Sequence, residues 1–117
     1  MRLINTSWLI ELLKRGSYEE GSISVITLIE VLRGIGADKR GVVKRLLEEN
    51  YDVIGLSNEV IKVYCNLYDE LKRREKVIPD ADLPIASTAI AHNLTLKTRD
   101  KHFTELRDLG LKLELME

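Results

Sequence analysis

The feature that most restricts the fold is a repeated switch between short apolar runs and longer segments of helical period. Arg2 to Asn5, Ile23 to Val25, Asp52 to Leu56, Leu94 to Thr98 and Leu111 to Leu115 read as strands. Between them, Ser7 to Arg15, Thr27 to Arg33, Lys39 to Asn50, Ser57 to Lys76, Ala81 to His92 and Asp100 to Arg107 read as helices. The long fourth helix is the clearest, with Val60, Val63, Tyr64, Leu67, Tyr68 and Leu71 on one face. In the third, Val42, Val43, Leu46 and Leu47 are expected to point inward. Pro84 requires its helix to begin just before it, because proline is tolerated in the first turn only. Short apolar strands alternating with helices predict an α/β chain, a parallel sheet with helices on both faces. A length of 117 residues suits one domain over residues 1–117.

Composition narrows the setting. No apolar run approaches the roughly 20 residues that span a bilayer, and the N-terminus reads as strand rather than as a leader. The one cysteine, Cys65, cannot form an internal disulfide, which fits a reducing cytoplasm; its helical context predicts a buried thiol. With a net charge of −1 and a pI near 6.2, nucleic acid is not bound by bulk charge, so any such contact needs a local basic patch.

Parallel sheets bind ligands beyond the carboxyl ends of their strands, where strand order reverses. Asn5 and Asp100 lie there, and Glu30 and Asp82 lie one turn into nearby helices. Each residue has an ordinary explanation that is the stronger one taken alone. Thr27 and Glu30 form a capping box. Asp82 suits a helix N-terminus, with Asp80 as its N-cap. Asp100 is placed as an N-cap, and Asn5 as a turn residue. Taken jointly, three carboxylates at one sheet edge would raise one another's pKa and call for a divalent cation. Oxygen-only ligands select magnesium or manganese. Such a cation polarises a phosphodiester and activates a bound water. Ser7 and Thr98 add hydroxyls at the same rim.

Other site chemistries lack their residues. Neither phosphate-binding glycine motif, G-x-x-x-x-G-K-[ST] or G-x-G-x-x-G, is present. His92 and His102 lack zinc-ligand spacing and read as surface histidines. A receiver domain needs an acceptor Asp after the third strand, where this chain has Val53-Ile54-Gly55-Leu56-Ser57. A haloacid-dehalogenase-like phosphatase needs a second Asp two residues after the first, where this chain has Ser7.

The stretches INTSWLIELL, ISVITLIEVLRG, IPDADLPIASTAIAHNLTLKTRDKHF and LKLEL resemble the PIN-domain ribonucleases, in particular the VapC-type toxins of prokaryotic toxin–antitoxin pairs. The likeness runs over nearly the whole chain. It implies a PIN-like three-layer fold with a parallel five-stranded sheet. It also implies Mg2+- or Mn2+-dependent endoribonuclease activity on structured RNA such as transfer RNA, inhibition by a VapB-like antitoxin, and a homodimer. Carried over by motif, the four acidic positions match Asn5, Glu30, Asp82 and Asp100, which are the implied catalytic and metal-binding set. Thr6, Ser7, Asp80 and Thr98 are accessory.

The family pattern reads IDTS where this chain reads INTS. Asn is nearly isosteric with Asp but loses the charge and one anionic ligand atom. The site is therefore expected to keep its shape and lose metal affinity. Retention of the other three acids favours a deliberate inactivating change over natural decay. Arg33, Lys97, Arg99 and Lys101 are the candidate RNA contacts, each otherwise an ordinary solvated cation. Two function classes stand: a metal-dependent ribonuclease disabled by Asn5, and a non-catalytic module that binds RNA or an antitoxin.

Overall fold

A computed structural model describes residues 1–117. Its elements are β1 (Arg2–Ile4), α1 (Thr6–Arg15), β2 (Ser22–Ser24), α2 (Val25–Arg33), α3 (Ala37–Asn50), β3 (Asp52–Ile54), α4 (Asn58–Arg73), α5 (Asp82–Ala91), β4 (Thr95–Thr98), a 3-10 helix (Lys101–Leu109) and β5 (Lys112–Leu115). The five strands form one sheet in the order β3-β2-β1-β4-β5, and every neighbouring pair is parallel. Every strand expected from the sequence is present, within two residues of the expected bounds.

The two-residue period of a strand sends neighbouring side chains to opposite faces. Leu3 therefore joins a core with Leu67, Leu71, Ile85, Leu96, Phe103 and Leu106, beneath α4, α5 and the 3-10 helix. Ile4 joins the other core with Trp8, Leu9, Leu12, Ile23, Leu28 and Leu47, beneath α1, α2 and α3. Helices thus cover both faces. Each fully buried large apolar side chain contributes about 1.5–3 kcal/mol relative to exposure.

Local chemistry explains the joints. Helix α1 stops at Gly16, whose φ of 65° is left-handed and whose N–H reaches back to the carbonyls of Leu12 and Leu13. Gly21 lets β2 lie against β1, since a Cβ there would stand 3.0 Å from the Arg2 carbonyl oxygen. Pro84 is the third residue of α5, inside its first turn as required.

Two burial expectations fail. In α3 only Leu47 is buried, while Val42 and Leu46 are 69% and 49% exposed. The helix lies over β3 at the sheet edge and packs against α2, so it meets the core along a narrow stripe. Cys65 is exposed rather than buried. The buried line of α4 is Val60, Leu67 and Leu71, and Cys65 stands off that line. Tyr68 also turns outward at 51% exposure and stacks on Tyr64, with ring centroids 6.4 Å apart.

Candidate active site

Strand order reverses between β1, the central strand, and its neighbour β4. The chain builds outward from β1 to β2 and β3, then returns to add β4 and β5 on the other side. The carboxyl ends of β1 and β4 are locked side by side, with the Asn5 N–H donating to the Lys97 carbonyl at 2.9 Å. Asn5 follows β1 directly, and Arg99-Asp100 follows β4.

Of the ordinary explanations, the one for Asp82 holds in part, since it stands in the first turn of α5 where a carboxylate is favoured; the capping roles do not form. Asn5 is the N-cap of α1, and Asp100 the N-cap of the 3-10 helix, yet neither side chain makes a capping hydrogen bond. Helix α2 starts at Val25 with Ser24 as its cap, the Ser24 hydroxyl accepting from the Ile26 N–H at 3.1 Å. Thr27 is therefore inside the helix and the Thr27–Glu30 capping box does not form. The N-cap of α5 is Ala81, not Asp80. Asn5 and Asp100 at helix starts, and Glu30 in the body of α2, are thus free of capping duty.

They meet instead across the reversal point. The Asn5 side chain is buried, and its Nδ2 donates to Thr98 Oγ1 at 2.7 Å and to Asp100 Oδ2 at 3.3 Å. Thr98 Oγ1 also accepts from the Asp100 N–H at 3.1 Å and lies 3.3 Å from Ser7 Oγ. Ser7 Oγ accepts from the Arg99 N–H at 3.2 Å. Thr6 donates to Glu30 Oε1 at 2.6 Å and sits 3.0 Å from the Thr27 hydroxyl. The hydroxyls of Thr6, Ser7 and Thr98 thus brace Asn5, Glu30 and Asp100. Burial pushes the Asp82 carboxyl above its usual pKa; His102 opposes this, while the charges of Asp100 and Glu30 add to it. That coupling joins all three acids electrostatically.

Asp80 stays apart. It is exposed and faces the groove against α4 with Tyr64 and Leu83. The basic residues divide as well. Lys97 is not at the rim; it is buried, with its Nζ 2.8 Å from both Glu19 carboxylate oxygens and 3.6 Å from Glu114. Its partner across β1 is Ile4, so strand parity carries it under Trp8 instead of out to solvent. Arg99 pairs with Glu11 at 3.0 Å, and Arg33 with Glu30 at 3.7 Å. Lys101 remains exposed at the start of the 3-10 helix.

One residue read as an ordinary surface histidine belongs to the constellation. His102 Nε2 donates to Asp82 Oδ2 at 2.5 Å. Its only signal in the sequence is its place two residues after Asp100.

The donor chemistry suits a hard divalent cation. Apart from the His102 imidazole, whose Nε2 is engaged by Asp82, the groups are oxygens: three carboxylates and Asn5 Oδ1, which is buried and has no hydrogen-bond partner. No three carboxylates or histidines lie close enough to enclose an ion by themselves. The Asn5 oxygen is the one buried acceptor left unpaired beside them, and its amide nitrogen is turned toward Asp100.

Known proteins match this chain in sequence and fold. The PIN domain profile matches residues 3–109. Ribonuclease VapC1 of Methanocaldococcus jannaschii is 39% identical over 115 residues, covering 95% of this chain and 85% of that protein. The VapBC-1 structure from nontypeable Haemophilus influenzae superposes with a TM-score of 0.84 at 22% identity, over 97% of this chain and 96% of that one. VapBC2 from Rickettsia felis, solved with a DNA fragment from its promoter, has a TM-score of 0.77 at 27% identity, over 99% and 98% of the two chains. A profile match over nearly the whole length, joined to 39% identity with a VapC ribonuclease over 95% of the chain, places the chain in the PIN domain family, beside the VapC ribonucleases.

Proposed function

We propose that this chain is a VapC-type toxin, a divalent-cation-dependent endoribonuclease whose site is weakened by Asn5. One observation carries the reading. Asn5 and Asp100 at N-cap positions, Asp82 in the first turn of α5 and Glu30 in the body of α2 converge where strand order reverses, and neither Asn5 nor Asp100 caps its helix. Asn5 Oδ1, Glu30, Asp82 and Asp100 would hold Mg2+ or Mn2+. When bound, the cation would polarise a phosphodiester and lower the pKa of an attacking water. Thr6 fixes the Glu30 carboxylate, and Thr98 with Ser7 fixes the turn that carries Asp100. Asn5 contributes one neutral oxygen where an aspartate would contribute charge. Its N–H2 group also engages an Asp100 oxygen that an ion would otherwise use.

RNA is the substrate this reading assigns, with structured RNA such as transfer RNA foremost. Lys101, next to Asp100 and exposed, and Arg33, exposed beside Glu30, are placed for phosphate contacts. The partner is a VapB-like antitoxin, supported by the VapBC complexes among the solved relatives. A groove between α1 and α2, lined by Ile10, Leu13, Val31 and Ile35 and ending at Glu30, fits an amphipathic helix laid beside the acids. A homodimer is supported by the exposed Leu56, Ile61 and Tyr68 on and beside α4. An exposed free thiol at Cys65 supports a reducing, cytoplasmic setting.

The Asn5 amide itself favours a second reading, a non-catalytic module that binds RNA or an antitoxin. The two part in an RNA-cleavage assay with Mg2+ or Mn2+, run on this chain and on Asn5→Asp with several structured RNAs. Cleavage by Asn5→Asp and little by the present chain is the expected result. Cleavage by neither overturns the nuclease reading and leaves the binding module.

A further inference from the structure

We propose that His102 is a positioning residue for Asp82: it holds one carboxylate oxygen and leaves the other to take the divalent cation. This rests on the cation-site reading above. His102 Nε2 donates to Asp82 Oδ2 at 2.5 Å, and Asp82 Oδ1 accepts no hydrogen bond from the protein. A half-buried carboxylate on a single turn has two torsions and two equivalent oxygens. A directed hydrogen bond removes that choice. The imidazole is itself held in place. Phe103 and Leu106, fully buried, pin the 3-10 helix to the core, and the His102 ring packs on Phe103 with centroids 4.9 Å apart. The contact spans two elements, α5 and the 3-10 helix. It therefore ties Asp82 to the turn that carries Asp100, so the spacing between two of the acids is set by His102.

Outer-shell hydrogen bonds of this kind orient ligands, and their removal lowers metal affinity about 10- to 100-fold. The test is Mn2+ affinity by calorimetry in an Asn5→Asp chain, compared with the same chain carrying His102→Ala or His102→Gln. His102→Ala is expected to weaken Mn2+ binding about 10- to 100-fold with an unchanged circular dichroism spectrum. His102→Gln, which keeps an N–H donor on a side chain of similar reach, is expected to recover most of that loss. Equal affinity in His102→Ala and its parent overturns the inference, as does a Gln variant as weak as the Ala variant. A coordinated imidazole nitrogen in the electron spin-echo spectrum of bound Mn2+ overturns it too, since His102 would then be a ligand. Failure of the Asn5→Asp parent itself to bind Mn2+ overturns the cation reading, and this inference with it.

Discussion

Asn5→Asp is the substitution whose consequences follow most directly from the geometry. Asn5 Nδ2 donates at 3.3 Å to Asp100 Oδ2 and at 2.7 Å to Thr98. An aspartate oxygen in that place donates nothing. The lost hydrogen bond to a charged group costs about 1.5–3 kcal/mol. Two unit charges 3.3 Å apart also repel by about 5 kcal/mol at an effective dielectric constant of about 20. Proton uptake limits the total, because keeping a carboxyl of ordinary pKa near 4 protonated at pH 7 costs about 4 kcal/mol. The expected destabilisation without cation is thus about 3–4 kcal/mol. For a chain of this size that lowers Tm by about 12–16 °C. A divalent cation reverses it. At about 100 times its Kd it returns about 2.7 kcal/mol, or roughly 10 °C, to the Asn5→Asp chain. The present chain, with weaker affinity, gains less than about 1 kcal/mol at the same concentration. Thermal unfolding followed by circular dichroism, with EDTA or with Mn2+, reads both effects. Equal Tm for the two chains in EDTA would refute the view that the Asn5 amide clamps Asp100. No gain from Mn2+ in Asn5→Asp would refute the cation site.

Further outcomes follow from neighbouring contacts. Thr98→Val removes the hydroxyl that accepts from Asn5 and from the Asp100 N–H, and should cost about 2–3 kcal/mol in urea unfolding while also lowering cleavage by the Asn5→Asp chain. Glu19→Gln leaves the buried Lys97 with only the more distant Glu114, and should cost about 2 kcal/mol by the same measurement. Burial pulls the Glu19 carboxyl up, yet hydrogen bonds from Lys97 and Trp8 outweigh it, so its pKa lies below the ordinary 4.5. A lowered folded pKa gives stability that is present above the unfolded value and lost as pH falls. Tm should therefore hold from neutrality toward pH 5, fall below about pH 4.5, and fall less steeply in Glu19→Gln. Phe103→Ala, which empties a fully buried site beneath the 3-10 helix, should cost about 3–5 kcal/mol by urea unfolding.

Most of the fold was legible because the switch between strand and helix periods is sharp. Leu3 and Ile4 divide two cores, and Leu67 and Leu71 keep their helical spacing against α5. What misled was burial on the partly covered elements. Val42, Val43, Leu46 and Leu47 form an apolar stripe broad enough for a central helix, but α3 covers a sheet edge and uses little of it. Lys97 misled in the opposite sense. A lysine beside Thr98 and Arg99 reads as a rim cation, whereas register with Ile4 and a distant acid, Glu19, hold it inside. Neither a register nor a partner 78 residues away in the chain is visible in a local pattern.

The site was legible as a set and ambiguous residue by residue, and the cause is geometric. In a parallel sheet each strand's carboxyl end leads into the N-terminus of a helix. Cap positions and ligand-binding positions are then the same positions, filled by the same short polar residues. Asn5, Asp82 and Asp100 satisfy either role on paper, and Thr27 with Glu30 imitates a capping box. Hydrogen bonding separates the roles. A cap spends its oxygen on its own helix, as Ser24 and Ser57 do. Asn5 and Asp100 occupy the same kind of position and spend theirs elsewhere, Asn5 leaving Oδ1 buried and unpaired. A fold under selection for stability alone would have little reason to bury an unpaired acceptor beside acids that include Asp82, whose carboxyl is pushed above its usual pKa by burial and by its acidic neighbours. On the proposed reading the arrangement is costly for the ion-free protein and would become favourable once a cation was shared among the same oxygens. That inversion makes the cation dependence of stability, and not catalysis alone, the property by which this site is to be judged.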